Sequence, residues 1–188
     1  ENGEGVPRDA RRAALWYRRA AEQGHPRAQT NLGWLYERGR GVEQDPTQAL
    51  AWYRRAAEQG YARAQFNLGV AHAKGQGVER DDAEAVAWYR RAAEQGDPAA
   101  QTNLGLMYAS GRGVERNDTE AVAWYRRAAE QGEAGAQSNL GVMYASGRGV
   151  ERDEARAMLW FQRAAEQGHP TARANLALLV ASGGGENE

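Results

Sequence analysis

Side chains able to do chemistry are few in kind in this sequence. It has 188 residues with 3 histidines, no cysteine, and 25 acidic against 24 basic side chains, a formal net charge of −1. His25, His72 and His169 have no second histidine three or four residues away, so the helical pair that holds a catalytic metal is missing. His25 and His169 each precede a proline that opens a helix, a boundary position. His72 stands where Tyr36, Tyr108 and Tyr144 stand elsewhere, which makes it a core or groove residue. No Gly-x-Ser-x-Gly elbow presents a nucleophilic serine. The Gly-x-Gly segments follow no strand and lack the Lys-Ser/Thr of a phosphate loop. Asn117-Asp118-Thr119 matches the N-glycosylation triplet, but helix capping accounts for it. Without cysteine there is no disulfide, no thiolate metal site and no thiol nucleophile. No catalytic residue, metal site or cofactor is assigned, and the chain is not expected to be an enzyme.

What remains is recognition. The Arg-Arg pairs at 18–19, 54–55, 90–91 and 126–127 would suit phosphates if they formed one basic stripe. Each lies one helical step from Glu22, Glu58, Glu94 or Glu130, where intrahelical pairing is worth about 0.2–0.5 kcal/mol. With a balanced net charge this is a solvated outer face, and no nucleic-acid partner is expected. The longest apolar stretch, residues 176–181, is far below the roughly 20 residues of a membrane span. The chain opens Glu-Asn-Gly, with neither signal peptide nor initiator Met, as an excised or processed fragment would.

The elements that position these residues follow from one period. Trp16, Trp52, Trp88, Trp124 and Trp160 are each 36 residues apart, four of them in Trp-Tyr-Arg-Arg-Ala-Ala-Glu-Gln-Gly. Asn-Leu-Gly recurs at 31–33, 67–69, 103–105 and 139–141, becoming Asn-Leu-Ala at 175–177, and Gly-x-Gly-Val recurs at 3–6, 39–42, 75–78, 111–114 and 147–150. Each period holds two amphipathic helices. One spans about residues 46–59, with Ala49, Trp52, Tyr53, Ala56 and Ala57 as its stripe, Asp45 as cap and Gln48 completing a capping box. The other spans about residues 98–110, with Ala100, Leu104, Met107 and Tyr108 as its stripe. Gly33, Gly69, Gly105 and Gly141 fall mid-helix, where glycine costs about 1 kcal/mol relative to alanine. That cost, repeated at one position, implies a Trp or Tyr of the partner helix too close for a side chain. An isolated helix pair cannot bury both faces, whereas stacked pairs can, so the chain is expected to be all-α: a right-handed superhelical solenoid of stacked antiparallel helix pairs with a 36-residue period.

The alternation Ala-x-x-x-Leu-Gly-x-x-Tyr-x-x-Gly-x-Gly-Val, then Ala-x-x-Trp-Tyr-x-x-Ala-Ala-x-x-Gly, resembles the Sel1-like repeat, a relative of the tetratricopeptide repeat. The resemblance covers almost the whole chain as a single array over 1–188: a half repeat at 1–24, full repeats at 25–60, 61–96, 97–132 and 133–168, and a terminal helix at 169–188. It implies an adaptor or scaffold whose first helices line a concave groove for peptides. Some Sel1-like proteins are cysteine-rich and carry a disulfide in each repeat, a property that cannot transfer here.

On that groove the sequence places a ladder of amides, Asn31, Asn67, Asn103, Asn139 and Asn175, facing either a bound peptide backbone or the neighbouring helices. The first two pairs add Arg27, Trp34, Arg38, Arg63, Phe66 and Lys74, where later pairs carry small or neutral residues. These side chains would favour an extended acidic or aromatic segment, unless the rings pack between repeats and the charges only face water. The expected partner is a protein or peptide. The alternatives are a structural or engineered scaffold without a cognate ligand, and a small-molecule binder or hydrolase. Leu176, Leu178, Leu179 and Val180 end the stack on an apolar face, which is expected to meet another chain, as in self-association through the C-terminal helix, or a further segment of a longer parent.

Overall fold

The computed structural model describes residues 10–183, so the first Gly-x-Gly-Val segment and the glycines after Gly183 lie outside the described residues. Among the described residues there are ten helices and no strand: α1 (Ala10–Glu22), α2 (Pro26–Arg38), α3 (Pro46–Glu58), α4 (Ala62–Lys74), α5 (Asp82–Glu94), α6 (Pro98–Ser110), α7 (Asp118–Glu130), α8 (Ala134–Ser146), α9 (Glu154–Glu166) and α10 (Pro170–Gly183). The chain divides into two compact units, residues 1–92 and 93–188.

Helix starts follow the local sequence. Asp45 Oδ1 accepts from the backbone N–H of Thr47 and Gln48 at 3.0 and 2.9 Å, Asn117 Oδ1 from Glu120 at 3.0 Å, and Asp153 Oδ1 from Arg156 at 2.8 Å. His169 caps α10 through Nδ1, which accepts from the N–H of Ala172 at 3.3 Å, and His25 precedes Pro26 at the start of α2. Both histidines hold the boundary positions expected of them.

In the first unit α2 and α3 are antiparallel. Gln29, near the start of α2, bonds Gln59 beyond the end of α3, while the loop residue Asp45 returns its N–H to Tyr36 O at 3.0 Å. Ala21, Ala28, Leu32 and Trp52 form one core layer, and Ala49, Tyr53, Ala56, Ala57, Ala64, Leu68 and Trp88 form the next. Small residues bring the helices close, and the rings of Trp52 in the first layer and of Tyr53 and Trp88 in the next fill the space left. A Cβ on Gly33 would stand 2.7 Å from Tyr53 Cε1, and one on Gly69 would stand 2.5 Å from Tyr89 Cδ1. The ring against the mid-helix glycine is thus the tyrosine, while Trp52 turns to the layer below with Arg55 stacked 4.6 Å from its ring centroid. The second arginine of each pair therefore lies over a tryptophan, as Arg91 does over Trp88 at 4.6 Å, a three-residue step the sequence did not single out.

The second unit repeats the plan. Ala128, Ala136, Leu140, Ala157, Phe161 and Ala164 are sealed in its core. Tyr125 takes the place against Gly105 and Phe161 the place against Gly141, at 2.7 and 2.6 Å from the position a Cβ would occupy. The second glycine of Gly147-Arg148-Gly149 has φ of 66°, and a side chain there would run into the backbone of Asp118 at the start of α7.

A buried glutamine column ties these layers together. Gln29, Gln65, Gln101 and Gln137 are all buried. Their Nε2 atoms donate to the carbonyls of Ala21, Ala57, Ala93 and Ala129 in the last turn of the preceding helix, at 3.1–3.2 Å. The Oε1 atoms of Gln29, Gln101 and Gln137 accept from the glutamine that ends the following helix, Gln59, Gln131 and Gln167 respectively, each at 2.8 Å. Each of the alanine carbonyls also accepts the N–H of the glycine three residues on, Gly24, Gly60, Gly96 or Gly132, so the glutamine adds a second donor there and fixes a third helix.

Candidate functional site

The even-numbered helices bury one side and present the other. On α2, Arg27, Asn31, Trp34 and Arg38 fall at i, i+4, i+7 and i+11, a single stripe that is exposed except for the half-buried Asn31. On α4 the matching stripe is Arg63, Asn67, Val70 and Lys74, with Arg63 and Lys74 exposed and Asn67 half-buried. Because α2 and α4 are each antiparallel to α3, they run in the same sense within the first unit. Arg27 and Arg63 then stand at the start of the two stripes, and Arg38 and Lys74 at their ends.

Trp34 is 39 % exposed, with the Arg40 guanidinium 5.3 Å from its ring centroid. Phe66 is half-buried: its ring lies 6.0 Å from that of Tyr89 and carries Arg63 at 5.4 Å. Packing on a neighbouring helix therefore takes part of Phe66, while Trp34 stays at the surface. Arg38 Nε is 3.8 Å from Glu37 Oε1, and Glu37 Oε2 accepts from the Tyr53 hydroxyl at 2.7 Å. Burial first, and the Glu37 carboxylate second, push the Tyr53 hydroxyl far above the ordinary tyrosine range. Asn67 lines a small crevice with Glu37, Tyr53 and Ala71, so its amide borders both the stripe and the helix joint.

The stripes of the second unit are of another kind. They read Ala99, Asn103, Leu106, Ser110 on α6 and Gly135, Asn139, Val142, Ser146 on α8, followed by Asn175 and Leu178 on α10. The Ser110 and Ser146 hydroxyls donate to the carbonyls of Leu106 and Val142 at 2.7 Å, and Asn103 Nδ2 donates to Ala99 O at 2.9 Å. This leaves Leu106, Val142 and Leu178 as exposed apolar side chains. Between α8, α9 and α10 an apolar crevice of about 290 Å³ is lined by Val142, Ala145, Phe161, Leu178 and Leu179, with Asn175 at its edge. At the other end of α7, Arg148 reaches Asp118 Oδ1 at 2.7 Å, and Arg116 reaches Asp118 Oδ2 at 2.7 Å. Hydrogen bonds from Arg148 and then Arg116 hold the Asp118 carboxyl down at about 2, and the bond to Asp118 raises the Arg148 pKa in turn. The same cluster borders Tyr125, whose hydroxyl burial pushes up to about 12.

His72 is buried in α4, and neither ring nitrogen has a hydrogen-bond partner. It is a core residue that stands in for a tyrosine. Among the described residues no group of three or more His, Asp or Glu side chains is placed to hold a metal ion, and no helix is long and apolar enough to cross a membrane. The glutamine column and the Arg148–Asp118 link went unnoticed in the sequence. The glutamines did carry a signal, since they recur at 36-residue spacing directly after a buried alanine.

Comparisons with known proteins agree with this geometry. The Sel1 repeat family matches at residues 1–25, 26–61, 62–97, 98–133 and 134–169. Among solved structures, a protective antigen of uropathogenic Escherichia coli with an SLR fold is 42 % identical, with a TM-score of 0.90 over 99 % of this chain and 40 % of that one. A Sel1 repeat protein from Oxalobacter formigenes is 44 % identical, with a TM-score of 0.84 over 93 % of this chain and 50 % of that one. An immunity protein from Pseudomonas aeruginosa is 28 % identical, with a TM-score of 0.59 over 91 % of this chain and 63 % of that one. The chain thus spans about half or less of the first two structures it resembles. No curated protein matches the sequence.

Proposed function

Because the chain belongs to the Sel1 repeat family, whose repeats generally serve as protein–protein interaction modules, we propose that it binds a partner protein through the outward stripes of its even-numbered helices. One observation carries this. The inward positions repeat (Ala28, Ala64, Ala100, Ala136; Leu32, Leu68, Leu104, Leu140), while three of the four stripe positions change from helix to helix. Packing demands sameness at the first set, whereas the second is free of that demand and can be fitted to a partner.

Within each unit the asparagines at the centres of the stripes, Asn31 and Asn67 in the first and Asn139 and Asn175 in the second, offer an amide to the backbone of an extended segment, while Asn103, whose Nδ2 bonds Ala99 O, offers its carbonyl oxygen. In the first unit Arg27, Arg38, Arg63 and Lys74 flank Trp34 and Phe66, a combination suited to a segment carrying carboxylates and an aromatic anchor. Self-association belongs to the same proposal, since α10 carries Leu178 and Val180 at 68 % and 59 % exposure. The test is a photo-crosslinking amino acid at position 34, 67 or 142, against the same probe at Ala51, Ala87 or Ala123 on odd-numbered helices. Protein adducts are expected from the first set alone. Equal capture from both, or capture only from the second, overturns the proposal. Acidic and basic peptides titrated into Trp34→Ala and Arg63→Ala variants test the charge preference separately.

A further inference from the structure

The repeats can be compared with one another at a position away from the stripes. In the second unit the Tyr144 ring is held by two guanidinium groups. Arg126 Nη2 donates to the Tyr144 hydroxyl at 3.2 Å, and Arg156 stands over the ring at 5.6 Å from its centroid. Arg156 also pairs through Nε with Asp153 Oδ2 at 3.1 Å, while Oδ1 of the same aspartate caps the helix.

One hundred and eight residues earlier, three of these four side chains are the same: Arg18, Tyr36 and Asp45. Arg18 Nη2 donates to the Tyr36 hydroxyl at 2.5 Å, and Asp45 caps α3 through Oδ1. The fourth is Gln48 where the later repeat has Arg156. Where that guanidinium would lie, there is instead a crevice of about 580 Å³, lined by Arg18, Glu22, Tyr36, Glu43, Asp45 and Trp52, with Gln44 and Gln48 beside them. Its neighbour column changes in the same direction. Arg152 pairs with Glu154 in the later repeat, whereas Gln44 gives its Nε2 to the Glu37 carbonyl at 2.9 Å.

We infer that the crevice between α1, α2 and α3 receives an arginine side chain from a partner protein, in the way the repeat around Tyr144 receives its own Arg156. Three carboxylates against one guanidinium give the wall a net negative charge, and the rings of Tyr36 and Trp52, which already carry Arg18 at 5.9 Å and Arg55 at 4.6 Å, still line it with aromatic surface that suits a flat, weakly hydrated cation better than an ammonium. Tyr36 is two residues from Trp34, about 200° around α2, so the crevice faces away from the stripe of that helix. It is a second contact point, and it stands or falls independently of the stripe proposal.

The probe is the blocked tripeptide acetyl-Gly-Arg-Gly-amide, followed through the tryptophan indole N–H resonances, with Trp52 assigned from a Trp52→Phe variant. Saturable movement of the Trp52 signal is expected, and the lysine counterpart should bind about tenfold more weakly. Gln48→Arg, which copies Arg156, should fill the crevice from within and abolish the response. Asp45→Asn keeps a capping side chain and removes the charge, so binding should fall about tenfold while the helical circular dichroism stays. A Trp52 signal that does not move, equal binding of the lysine peptide, or full binding by Gln48→Arg each overturns the inference.

Discussion

Gln59 Nε2 donates to Gln29 Oε1 at 2.8 Å, linking the end of α3 to the start of α2, while Gln29 Nε2 holds the carbonyl of Ala21 at the end of α1. A single buried amide therefore joins three helices. Gln29→Leu keeps the volume, takes one of two donors from the Ala21 carbonyl, which retains the Gly24 N–H at 3.0 Å, and releases Gln59, at an expected cost of about 1 kcal/mol. Urea denaturation followed by circular dichroism measures it, and an unchanged midpoint would mean that the column contributes nothing.

Two glycine replacements of opposite sign separate close packing from mere flexibility. Gly105→Ala puts a methyl 2.7 Å from the Tyr125 ring, which must move, and a loss of about 1–3 kcal/mol is expected. At Gly135 the nearest atoms to a Cβ are the carboxylate oxygens of Glu133 at 3.2 and 3.3 Å, which cap α8 at the Ala136 N–H and accept from Thr102 Oγ1 at 3.0 Å, and a shift of a few tenths of an ångström relieves the contact without breaking either bond. Gly135→Ala should raise stability by about 0.5–1 kcal/mol through the backbone alone. Thermal melts of the two variants should bracket the parent.

His72 carries two unpartnered nitrogens into the core of the first unit. His72→Phe removes them and supplies the six-membered ring that Tyr36, Tyr108 and Tyr144 place at this position in the other repeats, and a gain of about 1 kcal/mol is expected. His72→Tyr should gain as much or more, because Arg54 stands in the position from which Arg18 reaches Tyr36 and Arg126 reaches Tyr144. Loss of stability in both variants would show that the imidazole is matched to its site.

What the sequence made legible is what repeats locally. The helix starts at Asp45 and Asn117, the positive-φ glycines, and the ring demanded by Gly33, Gly69, Gly105 and Gly141 all depend on residues within one 36-residue period. The ring proved to be the residue after the tryptophan, tyrosine at the first three glycines and Phe161 at Gly141, because Tyr53 points at α2 while Trp52 points to the layer beneath. Gln29 was harder to place, since its partners lie 8 residues back and 30 residues on, and a polar side chain near a helix start looks like surface. The site residues divide in the same way. Arg27, Asn31, Trp34 and Arg38 share a stripe by helical arithmetic alone, but the half-burial of Phe66 against Tyr89 depends on packing.

The link between Arg148 and Asp118 predicts a particular acid sensitivity. Asp118 is held at about 2, below the value of about 3.9 for an unfolded aspartate, because Arg148 and Arg116 both bond its charged form. A carboxyl depressed by folding contributes all of its stabilisation above the unfolded value and loses it as pH falls through the folded one. Asp118→Asn removes the charge at every pH. The parent should therefore be the more stable protein at pH 6, most of the difference should be lost between about pH 4 and pH 2, and it should vanish only about a unit below the folded value, near pH 1. Urea midpoints of both proteins at several pH values test this. A difference that stays constant down to pH 2 would mean that the aspartate stabilises through its shape and hydrogen bonds, and that its charge is without effect.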